Sequence, residues 1–186
     1  MGSYYYLLAQ LPFLSSTEQK PPMSSQSFIA LAQSLVTEKD AALLQKLSLD
    51  FDNEGKPSGC VFVDKWQEWE RTLRLNMAKH RALHLKRDAQ AGGGEPPCVP
   101  QDAALAAAKA VNSDINPLEG EIAIDKARWN AIEEIAGNDY FSRNHVFAYF
   151  LKLLLLERRE SFDTEKGFSE YKSLYAQIIN EASLGE

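Results

Sequence analysis

The chain has 186 residues, of which 45% are apolar and 25% charged, the proportions of a folded globular protein and not of a disordered one. A net charge of -6 and a pI near 5.2 argue against a general nucleic-acid binder, whose domain is usually basic. Two cysteines cannot build a disulfide framework.

Taken in chain order, the pattern is helical almost throughout. The segment from Tyr4 to Leu14 carries three tyrosines, which favour a strand, but has no partner strand; a short helix stopped near Pro12 is expected. Ser24 or Ser25 caps a helix carrying Phe28, Ile29, Leu31, Ala32 and Leu35. Thr37 to Asp40 reads as a capping box with Asp in the place of Glu, opening a helix through Leu43, Leu44 and Leu47. After a polar loop, Cys60 to Val63 is a short β-branched run compatible with one isolated strand. A long helix from Asp64 to about Ala89 follows, with Trp66, Trp69, Leu73, Met77 and Leu83 near helical spacing.

Residues 91–100 (AGGGEPPCVP) cannot continue a helix and are expected to link an N-terminal helical region, 1–90, to a C-terminal helical core, 101–186, the two either separate or packed as one domain. The core opens with an Ala-rich helix from Gln101 to Val111. Asn116 then caps a helix with Pro117 in its first position and Glu119 three past the cap. Leu118, Ile122, Trp129, Ile132 and Ala136 make its stripe, widened by Ile124, Ala131 and Ile135, and Gly137 stops it. Ser142 caps the next helix, apolar on nearly all sides and hence central. Thr164 caps the last, with Phe168, Tyr171, Leu174, Tyr175 and Ile178 on one face. The three final helices are expected to pack together. The fold class is therefore all-α, a bundle of six to seven helices with at most one very short strand near 60–63.

Several motifs invite chemistry. Asp50, Asp52 and Glu54 with Gly55 match the first half of a calcium loop, but the eighth position is Pro57 and the twelfth, which needs a bidentate Glu, is Val61. His80 and His84 share a helical face, with Cys60 and Cys98 flanking them. The spacing fits no zinc finger, no Glu follows His80, and two solvated histidines are the plainer reading. No phosphate loop, dinucleotide fingerprint or nucleophile elbow is present, so the expectation is a protein that is not an enzyme, with no catalytic residue, no metal, no cofactor and no small-molecule substrate. His145, single and near a helix start, is read as a packing residue.

The basic residues Arg71, Arg74, Lys79, Arg81, Lys86 and Arg87 occupy a stretch with no acidic residue inside it. Such segregation in an acidic chain marks a docking face for an acidic partner or for phosphates. Arg158, at the end of the most apolar segment, is expected to pair with Glu119, Glu121 or Asp125, because charges at a core edge are costly unless matched. Val146 to Leu156 would span roughly 16 Å as a helix, half a bilayer, so no membrane crossing is expected. The early Pro12, the first basic residue at Lys20 and the Tyr6 in place of Ser or Thr argue against an export signal and N-myristoylation. A cytoplasmic location follows as the expectation.

Several segments together resemble a bacterial family associated with V-type rotary ATPases. They are the run from Tyr4 to Pro12, Lys20-Pro21-Pro22, the Thr37 to Leu47 helix, the Phe51-Asp52-Asn53 turn, Asn116 to Glu119, Asp125 to Trp129, Tyr140-Phe141, and Ala148 to Arg159. That family is distantly similar to the C-type stalk component of these enzymes, an all-helical piece that seats the rotor axle on the membrane ring. The resemblance implies a non-catalytic coupling or assembly component. Its partners would be other ATPase subunits, and it would sit at the inner face of the membrane only through the complex. The C-type component is longer and three-lobed, which 186 residues cannot supply. The competing expectation is a free-standing helical adaptor or nucleic-acid binder using the 71–87 face.

Overall fold

The computed structural model of the chain describes residues 4–18, 20–50, 57–85, 99–112, 117–162 and 164–184. Eight helices run through them: α1 (Tyr4–Ala9), α2 (Ser25–Gln33), α3 (Glu38–Lys46), α4 (Val61–His84), α5 (Gln101–Asn112), α6 (Pro117–Ala136), α7 (Arg143–Glu160) and α8 (Thr164–Leu184). No strand occurs among the described residues, and none of their helices is long and apolar enough to cross a membrane.

Local chemistry starts and stops several of these helices. Ser24 Oγ accepts from the N–H of Ser27 at 3.1 Å and opens α2, and Thr37 Oγ1 accepts from the N–H of Asp40 at 3.3 Å to open α3. Pro117 is the first residue of α6, and Gly137, at φ 77°, ends that helix in the left-handed conformation that a side chain resists. The run Cys60 to Val63 is not a strand. Cys60 is extended, its N–H bonded to Ser58 Oγ at 3.1 Å, and α4 begins at the next residue. Phe62, Val63, Trp66, Trp69, Leu73 and Met77 are all buried at near-helical spacing, so helical packing overrides the local β preference.

α7 is the axis of the core. Val146, Phe147, Phe150, Leu151, Leu153, Leu155 and Leu156 are all buried on it, and α1, α2, α4 and α6 pack around it. α4 also packs against α5 and α6; the buried small residues Ala103 and Ala107 let α5 lie close to α4. Trp69 Nε1 donates to Asp102, and Thr72 Oγ1 donates to the carbonyl of Val99 at 3.1 Å, which ties the entry of α5 to α4. The segment 86–98, which holds most of the expected linker, lies outside the described residues.

Two expectations about the core need correction. On α6 the buried face runs through Ile124, Asp125, Arg128, Trp129, Ala131, Ile132 and Ala136, while Leu118 and Ile122 are exposed; the stripe begins later along the helix than its apolar residues suggest. α8 does not complete a three-helix core. Phe168, Tyr171, Leu174, Tyr175 and Ile178 share a face as expected but are 55–63% exposed. α7 packs against α1, α2, α4 and α6, and α8 makes no comparable packing with any of the described helices.

Candidate functional site

A chain of charges crosses the interior where α4, α6 and α7 meet. Arg128 donates twice to Glu70, from Nε at 3.0 Å and Nη2 at 2.8 Å, and from Nη1 to Asp125 at 3.0 Å. Arg158 donates to the same Asp125 oxygen at 2.6 Å and to Glu121 at 2.6 Å. Glu119 faces outward and takes no part, so the Arg158 partners are Glu121 and Asp125. Arg74 closes the other end, donating to Glu70 at 2.7 Å and to the carbonyl of Leu49 at 2.9 Å. Burial alone would lower the Arg128 pKa; the hydrogen bonds and charge of Glu70, with Asp125, outweigh it and hold it raised. Three guanidinium groups thus match three carboxylates, an arrangement suited to fixing helices against one another.

A second clamp holds the N-terminal segment. Asp40, buried on α3, accepts from the Tyr4 hydroxyl and from Arg143 Nε, the latter at 2.7 Å. In the capping box Thr37 caps the helix as expected, and the Asp40 carboxylate, besides its interaction with Thr37, reaches out to α1 and α7. Arg159 Nη1 donates to the carbonyl of Ser16 at 2.6 Å, Tyr149 donates to the carbonyl of Pro12 at 2.9 Å, and the N–H of Ser25 donates to Glu157 at 2.6 Å. Residues far apart in sequence therefore pin the N-terminal stretch along α7.

The Asp40 clamp, a separate ion pair of Glu133 with Lys152 at 2.8 Å, and His145 together have a pH signature. Burial would raise Asp40, but the bonds from Tyr4 and Arg143 hold it below its ordinary 3.8. Burial would likewise raise Glu133, but the bond and charge of Lys152 hold it below 4.5. Burial and the charge of Lys152 lower His145 from 6.5. In each case the unfolded chain takes up its proton first as pH falls, so stability present above these values is lost progressively below them. Tyr4 is pushed up to about 12 by burial and its bond to Asp40, and its contribution is present below pH 10 and lost as pH rises through about 12. Denaturation midpoints measured across pH are expected to decline as pH falls below 6.5, further below 4.5, and again as pH rises above 10. A flat profile between pH 6 and about 3 would contradict the clamp assignments.

The basic helix face is less uniform than its composition. Arg71, Arg74 and Arg81 are exposed, Arg74 also reaching the outer end of the charge network, and Lys79 is half-buried. Lys86 and Arg87 lie outside the described residues. Arg74 thus also has structural partners, Glu70 four positions earlier and the carbonyl of Leu49 in the preceding loop, while its side chain stays 44% exposed. Of the calcium-like loop, 51–56 lie outside the described residues. Of the zinc-like set, Cys60 is buried at the start of α4, and Cys98 and the side chain of His84 lie outside. No cluster of three metal-ligating side chains occurs among the described residues.

Two apolar surfaces stand out instead. A cleft of about 540 Å³ opens between the α1 segment and the α6–α7 turn, lined by Leu11, Phe13, Tyr140, Phe141, Tyr149 and Lys152. At its rim Tyr5 packs on Phe141 with ring centroids 4.7 Å apart, and Phe13 and Tyr140 are strongly exposed. Exposed aromatic rings around a cleft are typical of partner-binding surfaces. The second surface is the open face of α8. The cleft is hidden from sequence reasoning, because it joins residues some 130 positions apart, such as Phe13 and Tyr140, whose local signal is an aromatic pair shortly after Gly137.

Compared with known proteins, residues 107–182 match a family described as "Protein of unknown function (DUF2764)", which covers less than half of the chain, from within α5 to near the end of α8. No curated protein and no solved structure matches the chain.

Proposed function

We propose that this chain is a non-catalytic, all-helical component of a V-type rotary ATPase, acting in coupling or assembly through contacts with other subunits. The observation that carries the reading is where the resembling segments lie. The Tyr4 to Pro12, Asn116 to Glu119, Asp125 to Trp129 and Ala148 to Arg159 segments fall largely in α1, α6 and α7, and α1 and α6 both pack on α7 at the core. Two features support it. The interior charges are matched in pairs that fasten helices, so a load on one helix passes to its neighbours. The surface offers an aromatic cleft, an open α8 face and the exposed Arg71 and Arg81, which suit several protein contacts at once. Coupling requires only that these contacts differ in strength between states of the complex.

The test is co-purification from native membranes at low salt with a tagged chain. The catalytic ATPase subunits are expected to elute with it, and Arg71→Glu combined with Arg81→Glu is expected to reduce their recovery severalfold. A chain that elutes alone would contradict the proposal. Salt-dependent binding to DNA or RNA at the same arginines would favour the adaptor reading instead.

A further inference from the structure

We propose that the open face of α8 is a self-association surface, covered in solution by α8 of a second copy of this chain. This inference is independent of the ATPase reading and rests on α8 alone.

The spacing is the first argument. Phe168, Tyr171, Tyr175 and Ile178 follow a three-four-three interval, the a/d seam of two helices packed side by side, and Leu174 widens the seam. An amphipathic helix with this period needs a helical partner of the same period. None of the other described helices packs on this face, which stays exposed. A second copy supplies it automatically, through one self-complementary patch.

Area is the second argument. The five side chains are 55–63% exposed. At roughly 200 Å² for each large side chain, this leaves about 600 Å² of apolar surface per copy, or about 1,200 Å² for a pair, the lower bound of stable interfaces. The face is also partly ordered in advance: Lys172 Nζ sits 4.5 Å from the centre of the Phe168 ring, and Tyr171 and Tyr175 stack at 6.1 Å. Ordered rings lose less freedom on association.

Charge favours a second copy over a strongly charged partner. The chain as a whole carries -6, yet α8 carries Glu165, Lys166, Glu170, Lys172 and Glu181, nearly balanced in sign. Two such helices do not repel one another, whereas a helix built for a strongly acidic or basic partner would carry the opposite sign along its flanks.

The test is sedimentation equilibrium of the full chain from about 1 to 100 µM, a range that brackets the affinity an interface of this size commonly shows. The expected result is a mass rising toward twice 20.8 kDa. Tyr171→Glu with Ile178→Glu should remain monomeric throughout, with helical circular dichroism retained because both side chains are exposed. The milder Tyr171→Ala with Ile178→Ala should weaken association at least tenfold. As a control, Phe13→Glu in the aromatic cleft should leave association unchanged. A monomeric wild-type chain at the highest concentration would overturn the proposal and assign the face to another protein. A dimer insensitive to the α8 substitutions, or one lost with Phe13→Glu, would overturn it as well.

Discussion

Arg128→Met is expected to lower folding stability by about 3 kcal/mol, the low end of the cost of breaking a buried ion pair, because each buried carboxylate keeps one other arginine. Arg128 joins Glu70 on α4 to Asp125 on α6, and both carboxylates are essentially inaccessible to water. Methionine replaces the stem but supplies no donor. Arg74 still reaches Glu70 and Arg158 still reaches Asp125, yet Glu70 loses two hydrogen bonds at once. Urea denaturation should show a lower midpoint with an unchanged slope. Arg158→Met should cost less, because its removal leaves Asp125 still paired with Arg128. Equal stabilities for the Arg128→Met and wild-type chains would show that the network contributes nothing.

Phe28→Ala is the second large effect, about 3–5 kcal/mol, because a fully buried ring is lost and a cavity left behind. The Phe28 ring stacks on Tyr149 at 5.3 Å and on Phe150 at 5.6 Å, so it is the anchor of α2 on α7. α2 has only nine residues, too few for a stable isolated helix, and depends on this packing to exist. Hydrogen exchange should therefore accelerate across α2 and α3 well before the rest of the chain. Phe13→Ala, at a ring 85% exposed, should leave the melting temperature within about a degree of wild type.

Most helices are legible from the sequence, because their ends are written in short-range chemistry. Ser24, Thr37, Pro117 and Gly137 act within a few residues of themselves, and each marks a boundary in the structure. The central place of α7 is legible for the same kind of reason, since a segment apolar on all sides has nowhere else to go. What is not legible depends on long-range packing. The Cys60 to Val63 run has a strand composition, but a strand needs a neighbour and the helix needs none. The α8 stripe carries the same signal as a core helix; only its exposure in the structure shows that the stripe is not buried against the other described helices. Arg74 belongs to a basic run by composition and to the interior network by geometry, which spacing along one helix cannot reveal.

The two clamps give this architecture its character. One fastens α4, α6 and α7 through six charged side chains, and the other fastens the N-terminal segment to α7 through Tyr4, Asp40 and Arg143. Together they leave the apolar cleft and the α8 face as the surfaces most open to partners. A structure fastened inside and apolar at selected outer faces is suited to joining other proteins into one mechanical unit.

The proposed role in a V-type rotary ATPase is tested most directly by comparing ATP hydrolysis with ATP-driven ion pumping in native membranes, with and without the gene for this chain. The account predicts that, without the chain, hydrolysis by the catalytic head persists while pumping per ATP falls severalfold, and that restoring the chain restores pumping. Unchanged pumping per ATP in its absence would contradict it.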